Sequence, residues 1–303
     1  MKFILSLIFL SLFLLDNQPT KKDVLLSITK KYLPENYIVL KNYDEATINM
    51  LAEGDSLQDF ILDYPVVVHE AFHLYEHSIN NPINILQHFR VNDSLTISIK
   101  KFNSFPSRFL IVSVPKKVSE KISRYNTYIN SPDTNYDTQQ NGFFGLLEEY
   151  DAYYQSLKAY TFSFYFLRDT FSWSNPIVWI NYLNKAGSEV YAVNEFKLFF
   201  SWYLQYSKLK RQDIFKKITT DKNVKILFKY IEKKSQELIN DFLKNRAEIL
   251  KNIKPFTEFD NDGFIKLKGQ NTGYGINEHM QNLKFTDSLL KETRNKILNF
   301  LRE

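Results

Sequence analysis

Residues 65–78 read Pro-Val-Val-Val-His-Glu-Ala-Phe-His-Leu-Tyr-Glu-His-Ser. Three consecutive valines are typical of a buried strand, but the residues that follow continue on a 3.6-residue period and contain no turn signal. Proline is tolerated in the first turn of a helix, where its missing N–H would lack a partner in any case. The stretch therefore predicts a buried helix from about Pro65 to Ser78.

Two histidines lie one turn apart on this predicted helix, at His69 and His73. Both imidazoles then project from one face and can bind a single tetrahedral zinc ion (Zn²⁺). Glu70 lies about 100° around the helix from His69, where it can accept a proton from a water at the metal without being a ligand. We expect zinc here because a buried histidine pair needs partners; the alternative is two core histidines satisfied by hydrogen bonds.

Catalytic zinc usually takes three protein ligands, so a third must come from elsewhere. His77, eight residues after the first histidine, has drifted around the helix and is predicted to lie on its exterior. Residues 142–154 offer Glu149, which on a helix shares a stripe with small and apolar neighbours, where a carboxylate needs a metal or a partner. Glu148 is the alternative ligand, and Asp151 would then support a zinc-bound imidazole. Without a metal, the carboxylate would instead form an ordinary ion pair between two helices.

Hydrolysis also needs a donor aimed at the developing oxyanion. Tyr153 and Tyr154 follow the proposed third ligand closely, and Arg108 and His279 are the other candidates. The chain has 19 tyrosines, so each of these tyrosines has packing against its neighbours as an alternative role.

Composition indicates a globular, mainly helical protein. The chain of 303 residues is 44% hydrophobic and 16% aromatic, with only 8 Gly and 9 Pro, which excludes a disordered chain and favours long regular elements. We predict a mainly α fold with a small β element (α+β). The strands are expected at Tyr37–Leu40, Ser94–Lys101 and Arg108–Val114, and the later helices at residues 142–170, 176–185, 189–209 and 224–250.

Charge and cysteine content exclude several classes of protein. Lysine and arginine are interleaved with acidic residues along the chain, with a formal net charge of +5, so no polybasic block predicts a nucleic-acid partner. The absence of cysteine excludes disulfides and cysteine-ligated zinc.

The N-terminal residues 1–15, MKFILSLIFLSLFLL, place one lysine before an unbroken apolar run. Such a run is short for a membrane span but suits the core of a signal peptide. We predict that residues 1–18 are a signal peptide or, if uncleaved, a membrane tether through residues 3–15. The protein is then exported, periplasmic or extracellular, and residues 19–303 form a single domain with a helical C-terminal half.

The motif His69-Glu70-Ala71-Phe72-His73, followed later by Glu149-Tyr150-Asp151-Ala152, resembles the gluzincin superfamily of metallopeptidases, in particular its uncharacterised bacterial members. The resemblance implies a zincin-like core in which the motif helix packs against a second ligand-bearing helix. It also implies bound zinc, an activated water and a peptide or protein substrate. The rival hypotheses are a zinc-stabilised or catalytically degenerate exported binding or scaffold protein, and a membrane-anchored protein that docks partners on its aromatic residues 142–210.

Overall fold

The computed structural model describes residues 20–52, 54, 56–80, 85–92, 94–260, 264–270, 272–294 and 298–302. The predicted signal peptide or tether, residues 1–18, lies outside the described residues. Within the described ranges, none of the helices combines the length and apolar character needed to cross a membrane.

The described chain is mainly helical, as the composition predicts. Four long helices dominate it, at Leu57–Ile79, Phe143–Thr170, Pro176–Lys210 and Lys222–Ile253. The helices are α1 Lys21–Tyr32, α2 Tyr37–Lys41, α3 Glu45–Leu51, α4 Leu57–Ile79, α5 Lys116–Ser119, α6 Tyr125–Tyr128, α7 Asp137–Gln140, α8 Phe143–Thr170, α9 Pro176–Lys210, α10 Gln212–Thr220, α11 Lys222–Ile253, α12 Glu278–Arg294 and α13 Asn299–Arg302. Short 3₁₀ turns cover Pro34–Asn36, Ser107–Ser113 and Lys254–Phe256.

The β structure is small and antiparallel, which confirms the prediction of a minor β element. Strands β1 (Leu86–Asn92) and β2 (Leu95–Lys100) form a hairpin in which Phe89 is paired with Ile97. A second sheet contains three short strands in the order β3 (Thr257–Phe259), β4 (Ile265–Leu267), β5 (Gly273–Tyr274).

The motif helix α4 begins earlier than its sequence indicates. Pro65 lies inside the helix, so the prediction that the helix starts there is wrong. A proline in a helix interior costs one main-chain hydrogen bond, but Phe60, Ile61 and Leu62 before it are buried and stabilise the longer helix. Local turn signals alone do not reveal this tertiary contribution.

Two predicted strands are wrong for a related reason. Tyr37–Lys41 is a helix that follows a Pro34 turn, and Ser107–Ser113 is a 3₁₀ helix that follows Pro106. Short apolar runs do not distinguish strand from helix, and the choice depends on whether a partner strand is available. Strand β2 pairs instead with Leu86–Asn92, a segment whose Gln, His and Arg residues conceal its β character.

The predicted break between helices 176–185 and 189–209 is also wrong, because α9 runs without interruption from Pro176 to Lys210. Gly187 lies in its interior, and a Cβ at that position would lie 3.1 Å from the His279 side chain. Glycine here permits close packing and does not end the helix.

The Cα packing divides the chain into two compact units, each built from three stretches. The first comprises the described residues of 20–75, 155–186 and 238–276, and large aromatic side chains that include Tyr64, Tyr160 and Trp179 fill its core. The second comprises the described residues of 76–154, 187–237 and 277–302, with Phe143, Phe196, Phe200, Tyr203 and Phe228 among its buried side chains.

Candidate metal centre

The structure brings together the three residues that the sequence favours as metal ligands. Donor atoms of His69, His73 and Glu149 all lie within 4.8 Å of one another. The helical repeat of α4 brings the two imidazoles edge to face, with an interplanar angle of 74° and Nε2 atoms 3.1 Å apart. Glu149 is contributed by the first turns of α8.

The two imidazoles are spaced as two ligands of one zinc ion would be. Two imidazole nitrogens held about 2.0 Å from a tetrahedral ion are separated by about 3.3 Å, close to the observed 3.1 Å. His69 is buried, while His73 and Glu149 are half-buried, so a fourth position can remain accessible to water. Among the residues that the structure describes, this is the group of three or more His, Asp and Glu side chains whose donor atoms converge in this way.

The proposed base, Glu70, lies next to His69 on α4 and does not belong to the donor group. Its own main-chain carbonyl accepts a 3.0 Å hydrogen bond from the Tyr43 hydroxyl. Burial, together with the negative charges of Glu70 and Asp44, raises the pKa of Tyr43 above its ordinary value of 10. Tyr43 therefore remains a hydrogen-bond donor at neutral pH and holds this turn of the motif helix, a role that the sequence does not signal.

Glu148, the alternative ligand, belongs to a different group. Its Oε2 accepts a 3.5 Å hydrogen bond from the Nε2 of Gln87 on β1. Glu76 on α4 is 2% exposed, and burial, with the charges of Asp151 and Glu148, raises the pKa of its carboxyl well above its usual range. Glu76 and Asp151 are hydrogen-bonded to each other, so this carboxyl cluster is stabilised by a shared proton.

A pair of tyrosines lies near Glu149, the candidate third ligand. The Tyr153 hydroxyl is 3.0 Å from that of Tyr128, and burial raises the pKa of both phenols, with a further contribution from the charge of Glu149. The guanidinium of Arg124 lies 4.8 Å from the centre of the Tyr153 ring and 3.0 Å from Glu195. Because the pKa of each phenol is raised, the Tyr128 and Tyr153 hydroxyls remain protonated at neutral pH. Tyr128 and Arg124 escaped the sequence analysis because they precede the ligand helix in a loop-rich segment.

The other candidates from sequence have different surroundings. The His279 side chain packs on Gly187, and burial lowers the pKa of its imidazole, so it is neutral at pH 7. Arg108 donates from Nε to Gln139 at 3.2 Å, and the Tyr154 ring packs edge-on to Tyr230. None of the three belongs to the donor group, and His77 is exposed, as its position on the helix predicts.

No family model matches this sequence, and no curated protein or solved structure shows significant similarity to it. The chemistry of the site is therefore inferred from the residues themselves.

Proposed function

We propose that this protein is a zinc-dependent hydrolase that cleaves peptide bonds, with a zincin-like core of the gluzincin kind. The observation that carries the proposal is the convergence of the His69, His73 and Glu149 donor atoms within 4.8 Å. Two imidazoles and one carboxylate match the ligand sets of catalytic zinc in peptidases, in which a fourth position is left open.

When bound, zinc would supply a Lewis acid that polarises the scissile carbonyl and acidifies the attacking water. Glu70 would accept the proton of that water and deliver it to the departing amine. Its position directly after a ligand, outside the donor group, suits a base that acts on water beside the metal. Hydrogen bonding of Tyr43 to the Glu70 carbonyl would hold this turn of α4 in place.

Stabilisation of the developing oxyanion would come from Tyr153. Its phenol remains protonated because burial raises its pKa, and it adjoins the ligand Glu149 one turn along α8. The Tyr128 hydroxyl would orient it through their 3.0 Å hydrogen bond. A preorganised donor of this kind is worth more in a water-excluded site than in bulk solvent.

A structural or degenerate zinc site in an exported scaffold protein is the second candidate. The 3.1 Å separation of the two Nε2 atoms is also that of an imidazole–imidazole hydrogen bond, which a non-catalytic histidine pair would form. The presence of Glu70 favours the hydrolase, since a purely structural site needs no base.

The test is cleavage of a mixed peptide library by purified full-length protein, followed by mass spectrometry. We expect cleavage by the wild type that is abolished by a zinc chelator and restored by zinc. Glu70→Gln should lower kcat by about 10²–10⁴-fold while the protein retains zinc. His77→Ala, a change at an exposed position on the same helix, should leave kcat unchanged. A zinc-loaded wild type that cleaves no peptide would favour the structural site.

A further inference from the structure

A cavity of about 280 Å³ lies where β1, the chain after β2 and the start of α8 meet. Its apolar walls are the rings of Phe102 and Phe144, whose centroids are 4.9 Å apart. The remaining lining residues are polar: Gln87, Lys101, Asn103, Ser104, Gln140 and Asn141. The volume is just below the range of about 300–1,000 Å³ that drug-sized ligands occupy, so it suits one amino-acid side chain with adjoining backbone.

The frame of the cavity is preformed. Gly142 has φ +55°, and a Cβ there would lie 2.1 Å from the carbonyl oxygen of Phe105, so only glycine allows this close approach. The Ser104 hydroxyl donates to the Asn141 carbonyl at 2.6 Å and accepts from the Phe143 N–H at 3.2 Å. These contacts fix the chain after β2 against the first turn of α8.

Two of the lining amides have a fixed orientation. The NH₂ group of Gln87 donates to Glu148, and that of Asn141 donates to Asp137. A carboxylate accepts only, so each amide must direct its nitrogen at the acid and retain its carbonyl oxygen as an acceptor. The cavity therefore presents two acceptors to which a ligand can donate.

One cation complements these acceptors. Lys101 lines the cavity and is half-buried, and within the described residues its ammonium has no side-chain hydrogen bond or ion pair. An ammonium carries three donors and no acceptor. A ligand that fits must therefore offer N–H groups to the two carbonyls and an oxygen to the lysine.

We propose that this cavity, the amide pocket, is a substrate subsite that receives a primary amide side chain, asparagine or glutamine, of a bound peptide. The proposal rests on the peptidase function proposed above. A primary amide has two N–H donors for Gln87 and Asn141 and a carbonyl for Lys101, and its flat faces fit against the two phenylalanine rings. A carboxylate lacks the donors, and a leucine would form hydrogen bonds with none of the three polar groups.

The amide pocket is connected to the proposed metal centre through α8. Gln87 contacts Glu148 at 3.5 Å, and Glu148 directly precedes the ligand Glu149 in the sequence. A side chain bound in the pocket would thus be held by residues next to the turn of α8 that carries Glu149. Contacts there would help to position the scissile bond at the metal.

The test measures binding separately from catalysis. Zinc-loaded, full-length Glu70→Gln protein is titrated into fluorescein-labelled Gly-Ala-Xaa-Ala-Gly-Ala, where Xaa is Asn, Gln, Asp or Leu, and fluorescence anisotropy is recorded. We expect the better of the Asn and Gln peptides to bind at least about 10-fold more tightly than the Asp and Leu peptides. Equal binding of the four peptides, or no binding of any, overturns the proposal.

A matched pair of lysine variants locates the preference. Lys101→Met should abolish the preference for the amide peptides. Lys217→Met should retain it, because the Lys217 ammonium lies 5.9 Å from the Phe102 ring centroid but does not line the cavity. A preference that survives Lys101→Met overturns the proposal. Cleavage by the wild type without amide preference would refute the subsite alone. Amide-selective binding without any cleavage would refute the peptidase and leave the pocket as a peptide-binding site.

Discussion

Helices α4 and α8 contribute to two groups of polar side chains whose chemistry differs. His69 and His73 join Glu149 in one group, and Glu76 joins Asp151 in the other. The first contains two imidazoles, which are neutral ligands and leave room for a cation. The second contains only carboxyl groups and is stabilised by retaining a proton. The same two helices thus offer a site suited to metal beside one suited to protonation, and the identity of the side chains decides which.

The largest effect expected from this contrast is zinc-dependent stability. A ligand that binds only the folded state at about 1,000 times its Kd stabilises it by about 4 kcal/mol. We expect zinc to raise the Tm of metal-free wild type but not that of His73→Ala, measured by differential scanning calorimetry. His77→Ala, exposed on the same helix, should respond as the wild type does. An equal response of His73→Ala would show that zinc binds elsewhere.

A smaller effect is expected at the carboxyl group. Because the folded-state pKa of Glu76 is raised, the folded state binds more protons than the unfolded state. Its contribution to stability is complete below the ordinary pKa of 4.5 and is lost as pH rises toward the folded-state value. Glu76→Gln removes this loss. At pH 7 the free energy of unfolding of the variant should therefore exceed that of the wild type by on the order of 1 kcal/mol, and at pH 4 the two values should approach each other.

Urea unfolding of both proteins from pH 4 to pH 7, with a chelator present throughout, would measure this difference. Glu120→Gln, at an exposed glutamate on the surface, serves as the control and should follow the wild type at every pH. A free-energy difference between Glu76→Gln and wild type that does not change with pH would contradict a protonated Glu76.

The sequence singles out the three side chains whose donor atoms converge because each is marked by a local pattern on its own helix. Two histidines four residues apart share a helix face whatever surrounds them, and the apolar stripe around Glu149 favours it over Glu148. The Glu76–Asp151 contact and the Tyr128–Tyr153 pair join residues far apart in the chain, so no local spacing reveals them. The prediction of a mainly helical fold is confirmed for the same reason, since the 3.6-residue period is a local signal.

Local signals fail where tertiary packing overrides them. Pro65 resembles a helix start yet lies within α4, and Gly187 resembles a break yet lies within α9. Strand β1 has no clear alternation because Gln87 and Arg90 are buried polar residues. The Gln87 side chain donates to Glu148, and the main-chain N–H of Arg90 donates to Glu76. In each case the deciding contacts come from residues distant in the sequence.

The central claim, that His69, His73 and Glu149 hold zinc while Glu70 acts beside it, is tested most directly by metal content. Elemental mass spectrometry of purified full-length protein would compare wild type with Glu149→Ala, Glu148→Ala and Glu70→Gln. We expect one zinc per chain in the wild type, its loss in Glu149→Ala and its retention in the other two variants. A wild type that contains no zinc and takes none up, or a Glu149→Ala variant that retains it, would contradict the claim.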